Sequence, residues 1–371
     1  MVKKLILGLL LMFLFAVGAY SANGSGRLAD GREIYRSGCA ACHGVDGRGT
    51  EDGMRGFEKP DTFPDFTACV ATAREPDSFW RAIIRNGGPG RGFSEIMPAF
   101  RTALADDQIA AVMAYLRQLC RQEKWPRGEL NLPRPLVAEK AFPEDETVLD
   151  FAINTEGNAQ VANKIVYERR FGARGQLDVM LPFGFHKSGS GEWQGGVGDL
   201  VAGYKQVVLS SLASGSILSV AGEASFPTGN LSQGMGKGVM VFEGFASYGQ
   251  LLPKTGFIQF QGGIELPTNT DEVKRAVFLR TVLGRSFAAG KGSGRLWSPM
   301  VELLADRELA AGNRINWDIV PQCQVTLSRR QHIRANIGLR LPINDFAPRP
   351  TQLLFYLMWD WFDGGLLDGW K

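Results

Sequence analysis

The second half of the chain alternates between apolar and polar residues, and this pattern restricts its fold more than any other feature. Side chains at successive positions of a β-strand point in opposite directions, whereas a helix repeats about every 3.6 residues. The alternation therefore predicts strands with one apolar and one polar face. One such face carries Ile315, Trp317, Ile319, Pro321, Cys323, Val325 and Leu327.

Twelve segments of this kind follow residue 146. They lie near 147–154, 161–171, 174–186, 197–210, 214–227, 238–251, 255–267, 274–288, 295–308, 313–327, 331–343 and 351–362. Most exceed the roughly five or six residues usual for soluble strands and suit the ~9–11 residues of a tilted membrane strand. Their length, their even number and the apolar outer face predict an antiparallel outer-membrane β-barrel of about 12 strands. The alternative is a soluble β-sandwich, whose inward faces also alternate.

The connections between these segments predict an orientation. The joins at 172–173, 211–213, 252–254 and 328–330 are short, whereas those at 187–196, 228–237 and 344–350 are longer. Short turns of outer-membrane barrels face the periplasm. An even number of strands brings both ends of the barrel to the short-turn side. The residues before the barrel should therefore lie in the periplasm, beneath the barrel or partly in its mouth.

The first half contains the motif Cys39-Ala40-Ala41-Cys42-His43. Two cysteines separated by two residues and followed directly by histidine form a c-type haem attachment motif, in which each thiol bonds one vinyl group and the histidine reaches the iron. A zinc site would need a second Cys or His pair nearby, and a thioredoxin-like pair would follow a strand. The preceding residues predict a helix instead. The sequence therefore predicts one covalently bound haem c.

Residues 1–22 have the pattern of an export signal. Two lysines precede an apolar run from Leu5 to Ala19, and small residues follow it. The run is short for a spanning helix, and an uncleaved signal anchor is the alternative. Haem attachment to thiols takes place outside the bacterial cytoplasm, so export agrees with the haem motif.

Met97 is the candidate for the second axial ligand of the iron. It precedes Pro98, which ends any helix and holds the methionine in an extended loop that can fold over the distal face of the haem. A thioether ligand there would raise the reduction potential. Met54 and Met113 are the alternatives, and Met113 lies on an apolar helical stripe that is typical of a core.

Pro64 and two further cysteines complete the predicted site. The Pro64 carbonyl is a candidate acceptor for the other ring nitrogen of His43, a contact that would fix the imidazole, and a plain turn proline is the alternative. Because the mature protein is exported, Cys69 and Cys120 are expected to form a disulfide that ties the loop after the haem motif to the end of the last helix. Two unrelated buried thiols are the alternative.

The motifs at 39–43 and 97–100 and a helix predicted at 106–119 occur in the order seen in class I cytochromes c, which residues 28–120 resemble. That resemblance implies an all-α wrap around one covalent haem, with His43 and Met97 axial and with transfer of single electrons as the activity. The whole chain resembles fusions of a cytochrome with a porin-like barrel. The iron-oxidising members of that class have a much shorter haem segment, so the resemblance does not imply an iron-oxidase role.

The changes in pattern divide the chain into a signal peptide (1–22), a cytochrome c domain (23–120), a linker (121–146) and the barrel (147–371). The linker has no periodicity and contains four prolines, the composition of a semi-rigid spacer. We expect it to pack on one neighbour, because it carries apolar residues that need cover, namely Trp125, Leu130, Leu132 and Phe142.

These features predict an electron carrier rather than a catalyst. The barrel would anchor it in outer-membrane lipid, and it would exchange electrons with a redox protein or a membrane carrier. The charge balance of 41 basic and 38 acidic residues argues against a nucleic-acid partner. The alternative function is an outer-membrane channel or transporter with a cytochrome docking or regulatory module. A haem peroxidase needs an open iron position, and Met97 argues against it.

Overall fold

The computed structural model describes residues 24–51, 56–60, 62–120, 124–189, 191–288, 294–345 and 349–360. The predicted export signal and Met54 lie outside these residues. Within them, helices occupy the first part of the chain, and strands begin at residue 146. None of the described helices is long and apolar enough to cross a membrane.

The helices of the first part are short, apart from the first and the last. They are α1 (Gly24–Gly38), α2 (Ala40–His43), α3 (Cys69–Thr72), α4 (Asp77–Asn86) and α5 (Asp106–Leu119). Single 3₁₀ turns follow at Gly88–Arg91 and Gly128–Leu130. The sequence predicted helices at 30–37, 75–86 and 106–119. The helix α4 begins later than predicted because Pro76 has extended backbone and caps it.

The core of this domain lies where α1 crosses α5. A Cβ atom at Gly31 would lie 2.1 Å from the carbonyl oxygen of Ala111, so this close approach requires glycine. Tyr35 of α1 and Met113 of α5 are buried at the crossing, in a cluster that continues to Phe66. Met113 is therefore a core residue, as its place on an apolar stripe predicted.

The second part is a closed antiparallel β-barrel, and the predicted fold class is confirmed. Its strands are β1 (Glu146–Asn154), β2 (Gln160–Phe171), β3 (Gly175–Lys187), β4 (Trp193–Val197), β5 (Leu200–Ser211), β6 (Ser216–Phe226), β7 (Val241–Leu252), β8 (Gly256–Pro267), β9 (Ala276–Arg285), β10 (Phe287–Ala288), β11 (Leu296–Glu308), β12 (Asn316–Thr326), β13 (Ile333–Pro342) and β14 (Gln352–Asp360).

Two of the strands are interrupted. β3 pairs with both β4 and β5, and β11 pairs with both β9 and β10, so each of these pairs of segments is one barrel strand. The described chain thus forms the twelve predicted strands, each within a few residues of its predicted bounds. Pairing of β1 with β14, which sets Glu146 opposite Asp360, closes the barrel.

The alternation observed in the sequence separates the two faces of the wall. On β11, Val301 and Leu303 face outward and are exposed, whereas Glu302 and Leu304 face inward and are buried. The same rule holds on β12, where Ile319 faces outward and Asp318 faces inward. An apolar outer surface around a polar interior is the arrangement of an outer-membrane barrel.

The interior of the barrel contains residues 130–145, which we call the plug. This segment leaves the 3₁₀ turn after the cytochrome domain, enters the lumen, reaches the middle of the strands and returns to start β1. The sequence predicted a spacer that packs on one neighbour, but it did not predict a position inside the barrel. Lumen side chains that contact the plug come from almost the whole circumference, namely Gln176, Lys205, Gln259, Gln261, Arg280, Glu302, Gln322, Asn336 and Tyr356.

Polar side chains of the wall replace the backbone partners that the plug lacks. Glu302 accepts hydrogen bonds from three consecutive backbone N–H groups, those of Leu136, Val137 and Ala138, at 2.8–3.1 Å. The Tyr356 hydroxyl donates to the carbonyl of Arg134 at 2.8 Å. A buried irregular segment needs such partners because an unpaired backbone group costs free energy. The polar lumen is therefore complementary to the plug.

The charges that hold the plug in the lumen are paired. The Arg134 guanidinium lies 2.8 Å from a carboxylate oxygen of Glu146 and 2.9 Å from one of Glu168. The Lys140 ammonium contacts Glu144 at 2.6 Å and Glu146 at 3.4 Å. Buried charges need such partners because their removal from water is costly. The ion pairs tie the plug to the first two strands.

Candidate haem site

The helix α2 brings the three residues of the haem motif onto one turn. Cys39 stands at its N-terminus, and its carbonyl accepts hydrogen bonds from the backbone N–H groups of Cys42 at 3.2 Å and His43 at 2.9 Å. Both thiols are half-buried, and neither forms a disulfide. Because positions i, i+3 and i+4 of a helical turn share one face, such a turn presents two thiols and an imidazole to the same side of the backbone.

Glycine residues let the chain fold back under this turn. Gly49 has a φ of 91°, and its N–H donates to the carbonyl of His43 at 2.8 Å. A side chain at Gly44, where φ is 72°, would approach the Gly49 carbonyl oxygen to 2.9 Å. The Tyr35 hydroxyl donates to the Gly44 carbonyl at 2.6 Å and so fixes the turn to the core. The loop after the motif is thereby held close to His43.

The imidazole of His43 is enclosed by aromatic rings. The centroid of the Phe63 ring lies 5.0 Å from it in a stacked arrangement, and that of Phe66 lies at 5.1 Å. Burial lowers the pKa of His43 to about 4, because the charged imidazolium is poorly solvated there. The ring is therefore neutral at pH 7, which is the form that binds a metal.

One ring nitrogen of His43, Nδ1, is buried and has no hydrogen-bond partner among the described residues. The predicted hydrogen bond from His43 to the Pro64 carbonyl is not formed in this arrangement, and it stays a prediction for the haem-bound protein. Such an uncommitted nitrogen is costly in an apolar environment unless a further group uses the ring. The observation fits an imidazole built to bind a metal.

Met97 packs against the same hydrophobic cluster as Cys39 and Phe66. Its loop is fixed by its backbone, since the N–H of Gly88 donates to the Met97 carbonyl at 3.0 Å. A side chain at Gly87, where φ is 77°, would come within 2.9 Å of that same carbonyl oxygen. The structure therefore brings Met97 and the haem motif to one core, in which Met113 is fully buried where the helices cross.

The donor set fits a covalently held haem. Two free thiols on one turn, a neutral imidazole with an uncommitted nitrogen and a thioether lie around one apolar cluster. When bound, the haem would supply an iron that changes its oxidation state by one electron, with Cys39 and Cys42 as attachment points and His43 and Met97 as axial ligands.

Cys69 and Cys120 form a disulfide, with 5.3 Å between their Cα atoms. It joins the start of α3 to the residue after α5, as the sequence predicted. Arg117 of α5 supports the same region, because its guanidinium lies 3.8 Å from the centre of the Trp80 ring and 2.8 Å from the carboxylate of Asp77. The segment between the haem motif and α4 is thereby fixed to α5.

The cytochrome domain lies at the short-turn end of the barrel. Arg330, in the turn between β12 and β13, donates to the Gly92 carbonyl at 3.3 Å, and Arg91 donates to the Arg330 carbonyl at 3.1 Å. Arg74 forms an ion pair with Asp145, at the end of the plug. On the same side of the barrel, His332 has its Nε2 atom 3.6 Å from the carboxylate of Glu75.

The residues that hold the plug were not predicted from the sequence. The sequence did contain a signal for a segment inside the barrel, because several lumen-facing side chains are apolar where a polar interior is expected. These buried side chains are Val148, Val282, Leu304, Val320, Leu354 and Met358. Leu136 of the plug packs against two clusters formed by these side chains. Apolar residues that face a lumen need cover, and the apolar residues of the linker were the available partners.

Comparison with known proteins separates the two parts of the chain. Residues 26–116 match the family model described as cytochrome c oxidase, cbb3-type, subunit III. The search of curated proteins found no match.

The solved structures similar to this chain include an outer membrane channel and a porin. An outer membrane channel from Pseudomonas putida F1 is 14% identical, with 62% of this chain and 100% of that chain covered and a TM-score of 0.44. The KdgM porin is 6% identical, with 58% and 99% covered and a TM-score of 0.40. These likenesses are too weak to support an inference, and the barrel is established by its own strand pairing. Residues 26–116 are thus a cytochrome c domain, which this chain joins to a closed twelve-strand barrel of the outer-membrane type.

Proposed function

We propose that the protein transfers single electrons through one haem c, attached to Cys39 and Cys42, at the periplasmic face of the outer membrane. The observation that carries the proposal is the single helical turn on which both thiols and the neutral imidazole of His43 are presented. The match of this region to a cytochrome family model supports it.

The residues around the site favour an electron carrier over a catalyst. The Phe63 and Phe66 rings exclude water from one side of His43, and Met97 is held by its backbone against the same apolar cluster. A thioether ligand favours reduced iron and so raises the reduction potential. With His43 and Met97 both bound to it, the iron would have no open position for a substrate.

The barrel would serve as the membrane anchor. Its short turns and its attached cytochrome domain lie at the same end, and short turns face the periplasm in barrels of this type. One haem at that end cannot bridge a hydrocarbon core of ~25–30 Å. The electron donor and acceptor are therefore expected on the periplasmic side, as a soluble redox protein or a membrane-bound carrier.

The plug argues against the alternative function, an open channel. Residues 130–145 fill the lumen at the middle of the strands and are held there by hydrogen bonds and ion pairs. Even without a plug, a barrel of ~12 strands is narrower than the ~16-stranded barrels that leave an aqueous channel. We expect the purified protein to show little conductance in a planar bilayer.

Optical spectra of oxidised and reduced protein test the proposal. The wild type should show the absorption of a six-coordinate haem c, with the weak methionine-to-iron band near the red end of the oxidised spectrum. Met97→Ala should lose that band and lower the midpoint potential, because the thioether ligand is removed. Met240→Ala, in the barrel part of the chain, is the control and should change neither the band nor the midpoint potential.

Two results would contradict the proposal. Ready binding of carbon monoxide by the reduced wild type would show an open iron position and favour a catalytic role. An unchanged spectrum in Met97→Ala would show that another residue is the axial ligand.

A further inference from the structure

The end of the barrel opposite the cytochrome domain contains a cavity of about 380 Å³. Its walls are the lumen-facing ends of strands β2, β3 and β5–β8 together with residues 234–237 of the loop between β6 and β7. Three glutamates from neighbouring strands line it, and we call them the acidic row: Glu223, Glu243 and Glu265. None of these residues belongs to the haem site.

The acidic row places like charges directly opposite one another. Glu223 of β6 is the cross-strand partner of Glu243 on β7, and Glu243 is in turn the partner of Glu265 on β8. Directly opposite residues have their Cβ atoms about 4.5–5.5 Å apart, and like charges at that distance destabilise a sheet. Without a cation or a bound proton, the row would therefore cost stability.

Within the described residues, one protein cation forms an ion pair with the row: the Lys237 ammonium lies 3.4 Å from the carboxylate of Glu265. Arg280 and Lys164 interact with Glu243 and Glu223 electrostatically but form no ion pair with them. Asp199, which also lines the cavity, accepts hydrogen bonds from the backbone N–H groups of Gly229 at 2.9 Å and Lys237 at 2.7 Å. Glu223 and Glu243 make no hydrogen bond or ion pair within the described part of the chain. The carboxyl groups of the row without a protein partner are therefore those of Glu223 and Glu243.

A fourth carboxylate continues the row below the cavity. Asp178 of β3 is opposite Gly203 of β5, and Gly203 is opposite Glu223. A Cβ atom at Gly203 would lie 2.4 Å from the Oδ2 atom of Asp178 and 2.7 Å from Cγ of Glu223, so both side chains lie over this glycine. Asp178 is only 7% exposed, and its Oδ2 atom has no hydrogen-bond partner among the described residues. This buried acceptor lies beside Glu223 and lacks a donor among the described residues.

The plug adds a further negative charge at this point. Its residue Glu139 interacts electrostatically with Asp178, Glu223 and Glu243. Its backbone N–H is held by the side chain of Gln261 at 3.0 Å, which fixes its place beneath the cavity. The carboxylates at this site therefore outnumber the cations that form ion pairs with them, of which Lys237 is the one among the described residues.

The shape of the cavity favours an organic ligand over a bare metal ion. No group of three or more His, Cys, Asp or Glu side chains in the described ranges could hold a metal. The volume is within the ~300–1,000 Å³ of small-molecule pockets and much larger than the ~30 Å³ of one water. Apolar walls adjoin the carboxylates, including Pro182, Val201 and Val241. A ligand with N–H donors on a short apolar body satisfies both features.

We propose that this cavity binds a small organic cation, an amine or guanidine whose charged group lies between Glu223 and Glu243. Ammonium and guanidinium groups supply three to five N–H donors to carboxylates that lack them. The proposal is independent of the haem and of electron transfer.

Equilibrium dialysis of labelled 1,4-diaminobutane against the full-length protein in detergent tests the proposal. The wild type should bind it saturably at one site, and Glu223→Gln combined with Glu243→Gln should weaken binding about tenfold or more, because two charge-assisted contacts are lost. These substitutions keep the side-chain volume and remove repulsion, so the variant should fold. Glu192→Gln combined with Glu272→Gln removes the same charge from exposed positions near the same end, and binding should be unchanged.

Three results would overturn the proposal. Equal binding by the wild type and by the Glu223 and Glu243 double variant would place the diamine elsewhere. Full displacement of the diamine by an equal concentration of Mg²⁺ or Mn²⁺ would identify a metal site instead. If the wild type bound no diamine and was destabilised at high pH relative to the double variant, protons alone would neutralise the row.

Discussion

The haem site and the lumen of the barrel are organised in opposite ways. The haem motif is five consecutive residues on one turn, held by hydrogen bonds between residues at most ten positions apart. The plug is sixteen residues without helix or strand after its first turn, and its partners lie as far away as Tyr356. A local site can be recognised from its sequence, whereas a site assembled by topology can be recognised only once the barrel is closed.

The difference extends to folding. The turn at 39–43 needs only α1 and the following loop, whereas the plug needs partners on β3, β8, β11, β13 and β14 at the same time. Contacts between distant segments have a large entropic cost of loop closure before they contribute stability. We therefore expect substitutions in the haem motif to act locally and substitutions at the plug to affect the barrel as a whole.

The largest expected effect is the complete loss of haem attachment, and it is confined to the cytochrome domain. Replacing both Cys39 and Cys42 by serine should abolish covalent haem attachment, because no thiol remains to bond the vinyl groups. Haem staining after denaturing electrophoresis measures the loss, and the shift in mobility of the unheated protein reports whether the barrel is folded. The barrel should fold as in the wild type. A barrel that failed to fold would show that the two regions are not independent.

Several parts of this molecule were predictable because their signals are local. The alternation near residues 315–327 predicted a strand and which of its faces is buried, and the spacing of Cys39, Cys42 and His43 predicted a turn that presents three donors. The position of Glu302 as acceptor for the plug was not predictable, because an inward-facing glutamate also fits a solvated lumen. Likewise, nothing in the sequence of the turn at 328–330 indicated that this turn contacts Arg91.

The next effect is on the stability of the cytochrome domain. The disulfide of Cys69 and Cys120 closes a loop with a sequence separation of 51 residues. Replacing both by serine should lower the free energy of unfolding of this domain by about 4 kcal/mol, since the unfolded chain gains entropy. Denaturant unfolding followed by haem absorbance measures the change. Cys323→Ser, which removes a free thiol on β12, is the control and should leave the transition unchanged.

Glu302→Ala tests the plug. It leaves the backbone N–H groups of Val137 and Ala138 without their acceptor inside the lumen, whereas the N–H of Leu136 keeps the side-chain oxygen of Gln322 at 3.0 Å. Each unsatisfied buried group costs about 1–3 kcal/mol, so the plug should be destabilised by about 2 kcal/mol or more. We expect higher conductance of the variant in planar bilayers and faster hydrogen exchange in residues 130–145.

Glu308→Ala is the matched control for this prediction. It removes an exposed carboxylate from the same strand, away from the plug, and conductance should stay at the level of the wild type. Equal conductance of Glu302→Ala and the wild type, with faster exchange confirmed, would show that the loosened plug still seals the lumen. Equal rates of hydrogen exchange in Glu302→Ala and the wild type would contradict the assigned role of Glu302.

The smallest effect is expected where the two regions meet. Arg330→Ala removes a hydrogen bond to the Gly92 carbonyl and the contact of the guanidinium with the Phe93 ring, whose centre lies 4.7 Å away. It keeps the backbone carbonyl that accepts from Arg91. The free energy of local opening of residues 88–93 should fall by about 1.4 kcal/mol, which corresponds to about tenfold faster hydrogen exchange there. Arg329→Ala, an exposed neighbour in the same turn, should leave this exchange unchanged. If exchange in the haem motif also rose in Arg330→Ala, the contact with the barrel would stabilise the haem turn, and the haem site would be less local than its sequence indicates.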